Sequence, residues 1–361
     1  MKIARSAKLS VPALLALFVL TCAHGTGAAD TEAAPIRLRI VGGLANVHQF
    51  TRHEQPFWEH AVPALTKGRV VADVVPFDQA GLRGTEVLRL MQAGIVPFGT
   101  AMLGASSSTN PEWAAPDLAG LNPDLASLRR AVQAYRPYLR QALRDRYGIE
   151  LLAVYVYPAQ VIYCKRRFTG IGDLVGRRIR TATPSQGDYI EAIGGVPVHV
   201  PFSEAKASLA AGNTDCAITG TMSGNTIGLH EVTTYVAALP VTWGLSVFGA
   251  NEAAWSALPV DIRSVLQGGL AHLEEEIWDE AGSETAEGLA CNAGHTGCIN
   301  GRPGAMVIVP ANDADKRLQR QVFQNTVLPR WLLRCGPQCN ELWTRYLRDV
   351  TGFDIQPAPR K

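Results

Sequence analysis

Three groupings of reactive side chains stand out in the sequence. His48, His53 and His60 lie close to Glu54 and Glu59, residue types that metals accept as ligands. Charged side chains so spaced more commonly form a solvated helix face, and no metal is expected there. Ser223 stands in Gly220-Thr-Met-Ser-Gly224, one place away from the Gly-x-Ser-x-Gly turn that exposes a nucleophilic serine. Gly170-Ile-Gly172-Asp-Leu-Val-Gly176 has glycines near a phosphate-cradling spacing. Its last glycine falls one place late and a strand-like segment follows, so it reads as a turn. With no His-Glu-x-x-His helix either, no catalysis and no cofactor are expected.

The cysteines carry a different chemistry. Of seven, Cys22 lies in a leader-like segment, leaving Cys164, Cys216, Cys291, Cys298, Cys335 and Cys339. An even number in an oxidising compartment reads as disulfides, and no pair has the two-residue spacing of a zinc knuckle. Six cysteines allow fifteen pairings. The most economical closes two small loops, Cys291–Cys298 and Cys335–Cys339, and leaves Cys164–Cys216 as the long-range bridge.

The N-terminus supplies the compartment. Residues 1–29 hold Lys2, Arg5 and Lys8 without an acid, then the apolar run Val11 to Leu20, then small residues ending Gly27-Ala28-Ala29. Basic, apolar and small residues in that order make a secretory signal, and the apolar run is short for a bilayer span. No later stretch offers about 18 consecutive apolar residues, so no stable membrane insertion is expected. Thr21 before Cys22 is larger than lipidation sites prefer, so Cys22 is expected to stay unmodified. The whole chain has a net charge of +2, and removal of the three leader cations leaves about −1. That balance offers nothing to a polyanion and argues against nucleic acid as a partner.

The elements that would position a site alternate along the chain. Ile36 to Val41 reads as a strand closed by Gly42-Gly43, residues 54–66 as a helix, Val70 to Val75 as a strand and Gly84 to Gln92 as a helix. Ile95 to Leu103 is apolar again, and residues 104–124 read as a surface loop. Leu125 to Tyr147 is a long amphipathic helix, and Leu151 to Tyr157 a buried strand that Pro158 interrupts. A second set follows: strand Arg178 to Thr181, helix Gln186 to Ile193, strand Val196 to Val200, helix Glu204 to Ala211 capped by Ser203, and strand Asp215 to Thr219. Val241 to Ala250 crosses back, and Asp261 to Leu289 is a long helix. Strands alternating with helices imply mostly parallel α/β sheets. The expected organisation is a signal peptide (1–29), one lobe from 30–157 with about 246–288, a second from 158–245 with about 289–352, and a tail (353–361).

The stretch from Leu174 to Ile218 is the most specific. It reads Leu-Val-Gly-Arg-Arg-Ile-Arg-Thr, then Ile-Gly-Gly-Val-Pro-Val-His-Val-Pro-Phe-Ser-Glu, then Leu-Ala-Ala-Gly-Asn-Thr-Asp-Cys-Ala-Ile. In order and spacing this resembles the DctP-type solute receptors of tripartite (TRAP) transporters. The resemblance extends more weakly over the mature chain, through the Val70 to Gln79 segment and the Leu88 to Gly94 helix end. It implies an α/β, two-lobed periplasmic binding protein fold with hinge-crossing strands and a long connecting helix, closing on a small organic acid and passing it to TRAP membrane subunits.

The resemblance makes Arg180 the selectivity arginine, a permanent charge whose planar fork pairs two hydrogen bonds with a carboxylate. Arg177 and Arg178 are then surface charges. Phe202 is expected to pack on the ligand, and Thr219 to offer a hydroxyl where some relatives have asparagine. Gln160 stands where some relatives carry a second arginine, which favours a monocarboxylate and leaves one amide for the ligand. Trp243, with Phe202 and Tyr157, favours an apolar or aromatic ligand. Asn46, His48 and Gln49 follow the first strand, where loops of such sheets line the crevice. Two alternatives keep the fold and change the role: a periplasmic enzyme on this scaffold, or a ligand receptor for a sensor kinase.

Overall fold

The structure, a computed structural model, describes residues 34–355. The expected signal peptide and Cys22 lie outside the described residues, as does most of the tail. Strands β1 (Ile36–Gly42), β2 (Val70–Pro76), β3 (Phe98–Met102) and β4 (Ile149–Val156) come first. Next are β5 (Gln160–Cys164), β6 (Arg178–Thr181), β7 (Val196–His199) and β8 (Cys216–Gly220). The last three are β9 (Tyr235–Ala237), β10 (Leu245–Asn251) and β11 (Val307–Val309). They form two sheets, ordered β2-β1-β3-β10-β4 and β11-β9-β5-β8-β6-β7.

The sheets are more mixed than the alternation of elements implies. β1 lies parallel to β2 and β3, and β6 parallel to β7 and β8. In contrast, β10 runs antiparallel to β3 and β4, and β5 antiparallel to β8 and β9. The cause is the double crossing between sheets. The chain leaves β4 through Tyr157-Pro158-Ala159 into β5 and returns along residues 240–244 into β10, in opposite senses. The two passages are laced by Tyr157 N donating to Gly244 O (3.1 Å), Gln160 N to Thr242 O (2.7 Å) and Val241 N to Gln160 O (2.8 Å).

The Val260–Ala293 helix, about 50 Å long at 1.5 Å per residue, ties both sheets to this junction. Its Trp278 indole donates to Val154 O at 2.9 Å, and Glu274 accepts from Val154 N at 2.9 Å. Two turns beyond Trp278, Thr285 Oγ1 accepts from Ala159 N in the crossing at 3.0 Å. Farther on, Gly288 lets the helix press against the backbone of Thr221 and Met222 in the second lobe.

Local chemistry sets several boundaries. Asp124 caps the Leu125–Tyr147 helix by accepting from Ser127 N, and Gly148 ends it with φ 58°. That helix buries Leu128, Val132, Tyr135, Leu139 and Leu143, the face its spacing defines. The first helical run starts earlier than expected and covers residues 49–65. Residues 104–124 are not a surface loop. They hold helices at Leu103–Ser106 and Pro111–Asp117, with Trp113, Ala115 and Leu118 wholly buried. The prolines there start and shape helical turns, which composition alone reads as loop. Ser203 caps nothing, because Pro201 opens a 3-10 turn at Phe202–Glu204 and the α-helix begins only at Ala205. Disulfides join Cys164 to Cys216, Cys291 to Cys298 and Cys335 to Cys339.

Candidate ligand cleft between the lobes

The carboxyl ends of β1, β3, β6 and β8 run towards the junction of the two lobes, the place where open α/β sheets leave a crevice. The lobes touch across it. Thr226 Oγ1 in the second lobe donates to Asn46 O in the first at 2.7 Å. Gly104, after β3, approaches Thr183 so closely that a Cβ on it would stand 2.9 Å from the threonine Cγ2. Beside the Thr226–Asn46 contact a cavity of about 330 Å³ is lined by Asn46 and Asp78 from the first lobe and by Phe202, Ser203, Lys206, Thr226 and Ile227 from the second.

Three arginines within four positions have three fates. Arg178 is exposed and pairs with Asp215, Nη2 to Oδ1 at 3.0 Å. Arg177 donates to the carbonyls of Arg166 (2.8 Å) and Arg167 (2.6 Å). Arg180 alone is buried, 2 % exposed, with Nε donating to Val200 O (2.8 Å) and Nη1 to Ile218 O (2.7 Å). Its strand places it there, because residues alternate between faces of β6 and Arg180 sits in register with Ala217 of β8. Burial alone pulls its pKa down to about 10, and no nearby charge pushes it back up. Thr219, two residues past Ala217, shares that face and is buried.

The remaining expected residues divide between the cavity, the crossing and the long helix. Phe202 and Asn46 line the cavity, Phe202 half-buried and Asn46 exposed. Gln160 belongs to the crossing. Its Oε1 accepts from Gln186 Nε2 at 2.8 Å and its Nε2 donates to Trp243 O at 3.2 Å. Trp243 is buried, its indole donating to Asn122 O at 3.3 Å. His48 turns to the long helix, Nδ1 lying 2.9 Å from Glu284 Oε1. One turn on, His53 Nε2 lies 2.6 Å from Glu280 Oε2. Among the described residues, no group of three or more His, Cys, Asp or Glu side chains is placed to hold a metal ion.

Sequence reasoning gave no role to several polar residues at this junction. Gln186 accepts from Ala182 N (2.8 Å) and donates to Gln160 and to Thr242 Oγ1 (2.9 Å), bracing both crossing passages. Asp117 accepts from the amides of Gly244 (2.7 Å) and Trp243 (3.2 Å), and burial pushes its carboxyl up to about 7. Glu54, fully buried, accepts from Gly43 N (2.8 Å), Gln49 Nε2 (3.3 Å) and the Thr100 hydroxyl, and burial outweighs these bonds to push its pKa to about 7. No local pattern marks these residues, since their partners Thr242, Gly244 and Thr100 come from distant segments.

Comparison with known proteins agrees with the two-lobed fold. The pattern of the DctP-type bacterial extracellular solute-binding proteins, family 7, matches residues 46–291. A Bordetella pertussis extracytoplasmic solute receptor binding pyroglutamic acid is 23 % identical, with a TM-score of 0.75 over 86 % of this chain and 99 % of its own. A TRAP periplasmic solute-binding protein from Desulfovibrio salexigens with bound orotic acid is 17 % identical, with a TM-score of 0.76 over 87 % and 98 %. One from Shewanella oneidensis with bound succinate is 18 % identical, with a TM-score of 0.72 over 88 % and 100 %. At these identities the likeness shows the two-lobed fold. Comparison with curated proteins finds no match. Among the described residues no helix is long and apolar enough to cross a membrane. With more than half its length matched, the chain belongs to family 7 of the bacterial extracellular solute-binding proteins, the DctP-type receptors.

Proposed function

We propose that this receptor, exported to the periplasm by its leader, captures an organic monocarboxylate on Arg180 and hands it to TRAP membrane subunits without making or breaking a covalent bond. Arg180 carries the reading. Taking a guanidinium out of water costs several kcal/mol unless an anion compensates it, and burial is the only influence on its pKa. A ligand carboxylate would supply the missing charge. Two nitrogens are already anchored to Val200 and Ile218, which holds the fork still for an incoming anion. Solved receptors of the same fold hold pyroglutamic, orotic and succinic acids, which supports a carboxylate.

In this reading Thr219 offers a hydroxyl beside Arg180, and Gln160 the amide hydrogen not used on Trp243. Phe202 walls the cleft with the buried Trp243 behind it, and Asn46 edges it from the first lobe, while His48 faces Glu284 on the long helix. The moving bodies are residues 30–157 with 246–288 and residues 158–245 with 289–352, hinged at the two crossings. Ligand favours the closed state by binding the two states unequally.

Acid released from freshly purified protein and identified by mass spectrometry is the first probe. At a hundredfold excess over its dissociation constant it should stabilise the wild type by about 2.7 kcal/mol. Arg180→Ala should show no ligand-induced thermal shift. An unchanged shift would remove Arg180 from the site.

A further inference from the structure

The second lobe has a pole turned away from the cleft, and charge collects on it. β6, β7 and β8 run parallel with their carboxyl ends towards the junction, so their amino ends lie at the opposite end of the sheet. β5 runs against β8 and finishes there, with Cys164 in register with Cys216 and joined to it by a disulfide. That end gathers Lys165, Arg166 and Arg167, which follow β5, and Arg177 and Arg178, which lead into β6. Two carboxylates stand with these five cations, and both are engaged. Asp215 pairs with Arg178 at 3.0 Å, and Asp173 accepts from Thr169 N and Oγ1 at 2.8 Å each. Among the described residues, Lys165, Arg166, Arg167 and Arg177 have no carboxylate partner within 4.0 Å.

Like charges so gathered repel, and the backbone holds them together. Arg177 donates to the carbonyls of Arg166 (2.8 Å) and Arg167 (2.6 Å), which fixes the turn after β5 while both of those side chains stay exposed. Burial, and after it the Arg166 charge, pulls the Arg177 pKa below the usual arginine value. Apolar side chains stand among the cations. Val175 is 69 % exposed and Val196 48 % exposed. Val196 N donates to Arg177 O at 2.8 Å, and Gly176 N to Gly194 O at 2.8 Å, so the two valines flank the arginines. Cations mixed with exposed aliphatic side chains suit a partner that is polyanionic at its face and apolar just beneath. A bilayer with anionic headgroups has that make-up, whereas nucleic acid has no apolar layer to receive the valines.

We infer that this pole of the second lobe is a docking surface for the anionic phospholipid headgroups of a membrane facing the exported receptor. Lys165, Arg166, Arg167 and Arg177 meet the headgroup phosphates, and Val175 and Val196 press on the layer beneath them. Contact of this kind is peripheral and needs no spanning segment. The chain without its leader carries about −1 overall, so the attraction comes from the pole and orients the molecule on the surface. The cleft lies at the other ends of the same strands. A docked receptor therefore keeps its cleft clear and stays within reach of membrane subunits.

Vesicles test the surface directly. The receptor purified from the periplasm of cells that export it should co-sediment with mixed phosphatidylglycerol and phosphatidylcholine vesicles in about 0.05 M salt, and not with phosphatidylcholine alone. Binding should vanish in about 1 M salt, where charges are screened within about 3 Å. Arg166→Ser combined with Arg167→Ser should weaken partitioning about thirtyfold, or about fivefold for each cation lost. Lys165→Gln alone should cost about fivefold and serves as a second probe. Arg130→Ser combined with Arg140→Ser removes the same charge from the exposed face of the Leu125–Tyr147 helix and should change partitioning less than about twofold. Melting curves establish that each variant is folded. Equal binding to both vesicle types, as an acyl anchor would give, overturns the surface, and so does binding to neither. A double variant at the pole that binds as tightly as the wild type overturns it too, as does an equal loss in the helix variant. Displacement by inorganic phosphate at matched ionic strength would reduce the pole to a single-anion site and overturn it as well. None of these readouts involves Arg180, so the surface stands or falls apart from the carboxylate reading.

Discussion

Thr226 Oγ1 reaches across the cleft to the carbonyl of Asn46 at 2.7 Å, one lobe bonding directly to the other. The same hydroxyl lies 2.9 Å from Ser223 O, so its single proton is shared between a carbonyl of its own helix and one across the cleft. Closure therefore has a direct protein–protein component in addition to whatever the ligand contributes. Thr226→Val should remove about 1 kcal/mol from the closed state, the usual net worth of a neutral hydrogen bond. Ligand affinity should fall about fivefold, mainly through a faster off-rate, with unliganded stability nearly unchanged. Stopped-flow and calorimetry would read this, and an unaltered off-rate would mean that the contact does not help hold the lobes shut.

Arg180 has a cost as well as the role proposed for it. Its guanidinium is dehydrated and faces no anion that could offset the loss. Arg180→Met keeps the length of the side chain and discards the charge. The unliganded variant should melt no lower than the wild type, since relief of desolvation outweighs the two carbonyl bonds given up. A fall of several degrees would show the guanidinium to be a structural strut of the second sheet.

Burial raises Glu54 from 4.5 to about 7, and the sign of the pH effect follows. Between those values the unfolded chain releases the proton while the native protein keeps it, so stability falls as pH rises. The favourable contribution is whole below about pH 4.5 and gone above about pH 7, a span of about 3 kcal/mol. Glu54→Gln has no such dependence. The difference in urea midpoint between wild type and variant should therefore move in favour of the variant from pH 4.5 to 7.5. A pH-independent difference would mean that the carboxyl does not titrate there.

Gly288 marks where the long helix meets the second lobe at backbone distance. A Cβ there would lie 2.5 Å from the Thr221 carbonyl carbon and 2.7 Å from Thr221 Oγ1. Backbone cannot swing aside as a flexible side chain can. Gly288→Ala should destabilise by about 1–3 kcal/mol from overpacking, in spite of the better helix propensity of alanine. Gly268→Ala on the same helix meets nothing within 4 Å and should stabilise by up to about 1 kcal/mol. Denaturation of both variants tests the asymmetry.

Much of the frame is legible in local sequence. The Leu125–Tyr147 helix has the bounds its periodicity and flanking residues imply, with Asp124 at one end and Gly148 at the other. Helix starts and ends, turn glycines and strand alternation are encoded by neighbours within a few residues, and so can be read without the fold. The motif from Leu174 to Ile218 likewise names the family, and it singles out Arg180 from Arg177 and Arg178 before any coordinate is known. Even so, Ser203 misled, because Pro201 two residues earlier had already opened the turn.

Tertiary structure alone decided which polar groups are buried and what they face. Arg177, Arg178 and Arg180 are one residue type within four positions. Only strand register and the carbonyls of Val200 and Ile218 make one of them a dehydrated charge without a counter-ion. Gln186 meets Thr242, and Tyr157 meets Gly43, across separations that no periodicity spans. The reason is physical: apolar patterning is set residue by residue along an element, whereas a buried hydrogen bond needs two groups brought together by the crossing of distant strands. The sequence thus determined the family and its two-lobed fold, and only the folded chain brought Gln49, Glu54 and Tyr157 together beside Gly43.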